Sequence, residues 1–159
     1  MQRFARPFLF LFFLSITISC KKSKDQPAPA APSVVHGKVY GKDFVMASGR
    51  ANTDVSNGIE RVIVNLSANA SFNCASAERM TYSVYFRVPK KVGIYTAASN
   101  DIWLGFDDTT SENSVGFVGA DSIVEIISVS NGRVNGKISF SDQRSDSSVA
   151  GTFDVAFCQ

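Results

Sequence analysis

The chain has 159 residues, 45% hydrophobic and 19% charged, with a formal net charge of +2. That length fits one domain of ordinary size, and the apolar content suffices for a core, so neither a pair of full domains nor wholesale disorder is expected. The small charge argues against a dedicated nucleic-acid binder, and three Cys with one His leave little material for a zinc cluster.

Residues 1–19 read as an export signal. Arg3 and Arg6 form a positive start, and Phe8 to Ile18 is a nearly unbroken apolar run of 11 residues. A membrane-spanning helix needs roughly 20 apolar residues, so the run has the length of a signal-peptide core, and no second apolar stretch extends it. Ser19-Cys20 follows, and then the polar stretch Lys21-Lys22-Ser23-Lys24-Asp25.

Thr17-Ile18-Ser19-Cys20 resembles a bacterial lipobox, in which a small residue precedes a Cys that is acylated and becomes the mature N-terminus. Thr17 stands where Leu is commonest, and such looser boxes after Phe-rich runs resemble those of the Bacteroidota. The resemblance implies a lipoprotein anchored in the bilayer through Cys20, whose several palmitate-type chains would hold it stably where one chain would not. The alternative is an ordinary secretory signal with an incidental Cys. Residues 20–33 then comprise the lipidated Cys and a Pro/Ala-rich tether, extended and semi-rigid. In the Bacteroidota, surface lipoproteins often carry acidic residues just after the Cys. Lys21, Lys22 and Lys24 depart from that, so an outer-membrane location is expected with its surface or periplasmic face left open.

Residues 34–159 carry the pattern of a single all-β domain. Gly37–Tyr40 and Asp43–Ala47 flank Gly41-Lys42, read as a two-residue hairpin turn. Ser56-Asn57-Gly58 precedes a strand over Ile59–Leu66. Tyr82, Val84, Phe86 and Val88 alternate with polar or smaller neighbours, the period of a half-buried strand. Pro89 to Gly93 separates two more strands. Ile102–Phe106 and Val115–Val118 follow. Ile123–Val129 is more continuously apolar, broken by Glu125 and Ser128, which predicts a central strand with both faces partly covered. Asn131-Gly132 is a hairpin signal before Val134–Phe140, and Asp142–Ser147 joins that strand to Val149–Phe157. About nine or ten short strands with frequent turns predict an antiparallel β-sandwich or a meandering β-barrel, with little helix. The mature region also resembles small β-rich lipoproteins of unknown function from the Bacteroidota, through Gly37-Lys38-Val39-Tyr40-Gly41-Lys42-Asp43-Phe44 and Gly151-Thr152-Phe153-Asp154-Val155-Ala156-Phe157-Cys158. That resemblance implies an exported β-domain and transfers no activity.

With Cys20 assigned to lipid, Cys74 and Cys158 remain. In an oxidising compartment they can form a disulfide closing a loop of 84 residues, pinning the last strand beside the loop around Ser71–Ala75. The alternative is two free thiols, one of them nucleophilic. His36 reads as an exposed strand residue. No nucleophile elbow, P-loop or dinucleotide fingerprint is present, so no catalytic residue, metal or cofactor is expected.

Asp101, Asp107, Asp108, Glu112 and Asp121 are the only dense chemistry. They read as solvated loop acids, with a Ca²⁺ site or a carboxylate hydrolase as alternatives. Trp103 has the opposite parity to Ile102, Leu104 and Phe106, which points it outward, with a place between two sheets as the alternative if the parity slips by one. With Asp107 and Asp108 it forms a candidate ligand contact, because a sugar ring packs on an aromatic face. Asp121-Ser122-Ile123 and Asp108-Thr109-Thr110 resemble Bacteroidota O-glycosylation acceptors, with ordinary turns as the alternative.

The expectation is a non-enzymatic, membrane-anchored envelope lipoprotein in a structural or scaffolding role. The alternative is an accessory module binding a glycan or small molecule, and the expected partners are the bilayer and a glycan or envelope protein, with no nucleic acid. The charge localises too. Without residues 1–20 the net charge is zero, and without the basic tether the domain has 11 basic and 13 acidic side chains, net −2.

Overall fold

Three hairpins are fixed by pairs of residues with positive φ: Tyr40-Gly41, Asn57-Gly58 and Asn131-Gly132. Two successive positive φ values define the type I′ turn, whose twist matches that of paired strands. The first turn lies one residue before the expected Gly41-Lys42. Gly41 takes the second turn position, and Tyr40 is held in the left-handed region because its backbone N–H donates to Ser147 Oγ at 2.8 Å. The Gly41 N–H donates to the Asp146 carbonyl at 2.9 Å.

The computed structural model describes residues 33–76, 82–99, 102–108, 113–116 and 121–158. The signal segment, Cys20 and the tether to residue 32, with Asp101, Glu112, Thr109, Thr110, Phe117 and Val118, lie outside the described residues. The described residues belong to one unit, Ala31–Gln159, and form eleven strands: β1 His36–Val39, β2 Lys42–Val45, β3 Ser48–Ser56, β4 Ile59–Ser67, β5 Ser83–Pro89, β6 Gly93–Thr96, β7 Trp103–Asp108, β8 Asn113–Gly116, β9 Ile123–Ser130, β10 Arg133–Asp142 and β11 Ser147–Cys158. Two three-residue 3-10 turns, Ala97–Ser99 and Gln143–Ser145, complete them.

All the strands belong to one sheet, ordered β6-β9-β10-β11-β3-β4-β5-β7-β8, with the β1–β2 hairpin attached through β1 to β11. The fold is therefore all-β, and its sheet curls into a half-barrel. Pairing is antiparallel except between β11 and β3, where Ala156, Phe157 and Cys158 run parallel to Arg50, Ala51 and Asn52. The free edge of β11 is thus shared, with β1 on Ser148–Ala150 and β3 on the last three residues.

The curl encloses the apolar faces. Val62, Val64 and Leu66 of β4, Val84, Phe86 and Val88 of β5, Val134, Ile138 and Phe140 of β10, and Val149, Phe153 and Val155 of β11 are all buried. Phe86 meets Phe153 across the interior at 5.3 Å between ring centres, and Phe106 meets Phe140 at 4.8 Å. Burying each such side chain contributes about 1.5–3 kcal/mol.

Two strands differ from expectation. β3 (SGRANTDVS) is not among the expected strands, because Ala51 is its only buried residue. β9 lies between β6 and β10 with its outer face only partly covered, as expected, but it carries a bulge that the pattern does not announce. Asn135 pairs with Ser128 and Gly136 with Ile126, so Ile127 is an extra, bulged residue. The bulge reverses the alternation, so Val124 and Ile126 face inward before it and Val129 after it, while Ile123 and Ile127 stay exposed. Gly136 permits this close approach, since a Cβ there would lie 2.0 Å from the Glu125 carbonyl oxygen.

Candidate functional site

Along β7, Leu104, Phe106 and Asp108 point into the sheet's interior, and Trp103 and Asp107 point out. Arg87 of β5 pairs with Trp103, and Tyr85 pairs with Gly105. Gly105 carries no side chain, so the Tyr85 ring leans diagonally onto Trp103, with centroids 4.8 Å apart and planes at 45°. Trp103 keeps 40% of its surface exposed. Beside it, Arg87 Nη1 lies 3.4 Å from Asp54 Oδ2, and Asn65 of β4 pairs with Tyr85. The result is a two-ring platform edged by a guanidinium, a carboxylate and an amide. Rings of this kind cover the apolar face of a sugar or other flat ligand while the polar edge supplies hydrogen bonds.

The structure separates the three residues expected to share a ligand. Asp107 shares the outer face with Trp103 but lies four residues along the strand, roughly 13 Å away. Asp108 is on the other face, 1% exposed, with Oδ2 2.9 Å from Lys42 Nζ. A carboxylate so placed cannot reach a molecule on the Trp103 face.

Asp108 belongs instead to a polar cluster that locks the β1–β2 hairpin. Tyr82 Oη lies 2.9 Å from the Val39 carbonyl oxygen and 2.7 Å from that of Lys42, positioned to donate to either. Burial raises the Tyr82 pKa above its ordinary 10.0, and the negative charges of Asp108 and Asp43 add to that. Asp142 caps the Gln143–Ser145 turn. Its burial favours the neutral acid, but hydrogen bonds from Ser145 and from Arg144, with the Arg144 charge, outweigh burial and hold its pKa below 3.8.

Cys74 and Cys158 form a disulfide, with Cα atoms 5.5 Å apart. The loop it holds covers β3: Arg50 lies over the Phe72 ring at 4.6 Å and donates to the Asn73 and Ser76 carbonyls.

Other candidates are placed as follows. His36 is exposed, with Nδ1 2.9 Å from the Val34 carbonyl oxygen. Among the described residues, no group of three or more His, Cys, Asp or Glu side chains gathers as metal ligands. Asp121 is exposed, but Ser122 is fully buried, so the Asp121-Ser122-Ile123 hydroxyl is not presented to a glycosylating enzyme. Among the described residues, no helix is long and apolar enough to cross a membrane.

One feature has almost no trace in the sequence. A groove of about 430 Å³ is lined by Val34, Met46, Ile127, Asn135, Thr152 and Asp154 among others. It depends on the bulge at Ile127 and on the entering chain at Val34, and the only sequence signal of either is Gly136.

The fold and these surfaces define a disulfide-linked β-domain with an exposed aromatic pair. No protein-family model, curated protein or solved structure matches the chain.

Proposed function

We propose that this chain is an envelope lipoprotein, acylated at Cys20 and carried on a Pro/Ala tether, whose β-domain has a structural or scaffolding role without catalysis. The observation that carries this reading is the partition of the three cysteines. Two of them are joined within the fold as Cys74–Cys158, and the third stands in a lipobox-like sequence behind an export-signal pattern. Disulfides persist in oxidising compartments, which an exported chain reaches. Metabolic labelling with a fatty-acid analogue tests the anchor: the wild-type chain takes up label and Cys20→Ala does not.

A second reading is favoured by the Tyr85–Trp103 platform, namely an accessory module that binds a glycan or small molecule on the outer face of β5 and β7. A thermal-shift and glycan-array screen with Trp103→Ala as control tests it. Ligands that raise the wild-type melting temperature but leave the variant unmoved support binding. A wild-type protein that no ligand shifts defeats it.

A further inference from the structure

We propose that the outer face formed by β9, β10, β11 and the β1–β2 hairpin lies against the bilayer surface, so that Tyr85 and Trp103 face away from it. The proposal rests on the anchor reading above and adds an orientation to it.

That face is rich in exposed aliphatic side chains. Neighbouring outward residues run Thr96, Ile123, Ser139, Ala150, His36, Val45 from one strand to the next. Ile94, Ile127 and Val34 stand on the same face, and with Ile123 and Val45 they are 45% to 68% exposed. A single exposed aliphatic side chain needs no explanation, but five on one continuous face mark an interaction surface. Four of the charges on this face are joined in pairs, Lys137 with Glu125 at 3.0 Å and Arg133 with Asp154 at 2.7 Å, and on the hairpin Lys38 stands opposite Asp43 in the register. The groove lined by Val34, Ile127, Thr152 and Asp154 opens within this face.

The first described residues, at the end of the tether, are bonded to β11 at the same face. The Ser33 carbonyl accepts from the Thr152 N–H at 2.8 Å and from Thr152 Oγ1 at 3.1 Å, and Val34 bridges to Thr152. Ser33 and Val34 are therefore fastened to β11 at this face. Twelve residues separate Cys20 from Ser33, a reach of at most about 47 Å. A tether that short holds the face at an effective concentration of order millimolar, so a weak intrinsic affinity fills the contact. Lys21, Lys22 and Lys24 add attraction to anionic headgroups.

Phe86 meets Phe153, and Phe106 meets Phe140, across the interior. The outward residues of β5 and β7 therefore point away from those of β10 and β11. A domain resting on its aliphatic face displays the aromatic pair on the far side.

Trp103 is the only tryptophan, so its fluorescence reports its own distance from lipid. The acylated chain is reconstituted in phosphatidylcholine–phosphatidylglycerol vesicles carrying a headgroup nitroxide. Trp103 is expected to be quenched several-fold less than the reporter in Trp103→Phe/Ile127→Trp and Trp103→Phe/Ile94→Trp, where the new ring replaces an exposed side chain. Equal quenching at all three positions, or stronger quenching of Trp103, overturns the proposal. Flotation of the Cys20→Ser chain with the same vesicles separates face from anchor. Weak binding at millimolar lipid, lost in Ile94→Ser/Ile127→Ser, supports the face whether or not Cys20 carries lipid. Absence of fatty-acid label on the wild type with that binding retained strikes the anchor alone, and no binding at millimolar lipid strikes the face.

Discussion

On β9, β10 and β11 the outward side chains include Ile123, Ile127, Asn135, Lys137 and Thr152, and on β3, β4, β5 and β7 they include Asp54, Asn65, Tyr85, Arg87 and Trp103. Inward, the two groups are alike: both supply Val and Phe, with Ile from the first and Leu from the second, to one shared interior. Between them the sheet is joined by only three parallel residue pairs, where the end of β11 meets β3. The comparison teaches that a common core fixes the fold while the two outer faces are free to diverge, one aliphatic beside the entering chain, the other aromatic and charged. It also locates the weak seam at β11–β3, where the Cys74–Cys158 bond sits beside the pairing.

The largest effect is expected from cutting that seam. Closing an 84-residue loop stabilises by at most about 4–5 kcal/mol in the chain-entropy picture. Cys74→Ser/Cys158→Ser, or the wild type in reductant, is expected to lose most of that in denaturant unfolding. An unchanged midpoint would mean that the interior alone holds the two halves together. Next comes the contact across the interior. Phe86→Ala removes the partner of Phe153 and is expected to cost about 3–5 kcal/mol, with both halves unfolding in one transition. Two separate transitions would show that the halves are less coupled than the shared core implies.

Tyr82→Phe is expected to cost about 1 kcal/mol by removing the hydrogen bond to the β1–β2 hairpin. Its pH dependence sharpens the assignment. Because the folded protein raises the Tyr82 pKa above 10.0, the group's contribution is fully present below that value and is lost as pH rises through the folded pKa. The wild type is therefore expected to lose stability more steeply above pH 10.0 than Tyr82→Phe, as urea midpoints across that range would show. The smallest effect falls on the outer face. Trp103→Ala removes an aromatic pair worth about 0.5–1.5 kcal/mol and leaves the core intact, so a loss of ligand binding in this variant reads the platform itself and not the fold.

Much of this organisation was legible in the chain. The strands with strict alternation, such as Val84-Tyr85-Phe86-Arg87-Val88, sit as expected because burial on one face imposes a period of two. The Asn131-Gly132 turn and the outward Trp103 follow from the same local rules. β3 was hidden because its outer side is polar and most of its inward positions carry small or polar residues. Yet Asn57-Gly58 is a hairpin signal that demands a strand before it as well as after it. Asp108 was misplaced for a related reason. With the strand expected to end at Phe106, Asp107 and Asp108 read as loop acids. Carried two residues further, the alternation puts Asp108 beside Phe106 on the inner face, where Lys42 meets it. The groove and the aliphatic face depend on a bulge and on strands distant in sequence, and no local pattern encodes such a meeting.

The central claim is that this β-domain is held to a membrane through Cys20. Metabolic labelling with a fatty-acid analogue, followed by purification and in-gel detection, tests it most directly. The account predicts label on the wild type, none on Cys20→Ala, and unchanged label on Cys74→Ser/Cys158→Ser. A wild-type chain without label would contradict it.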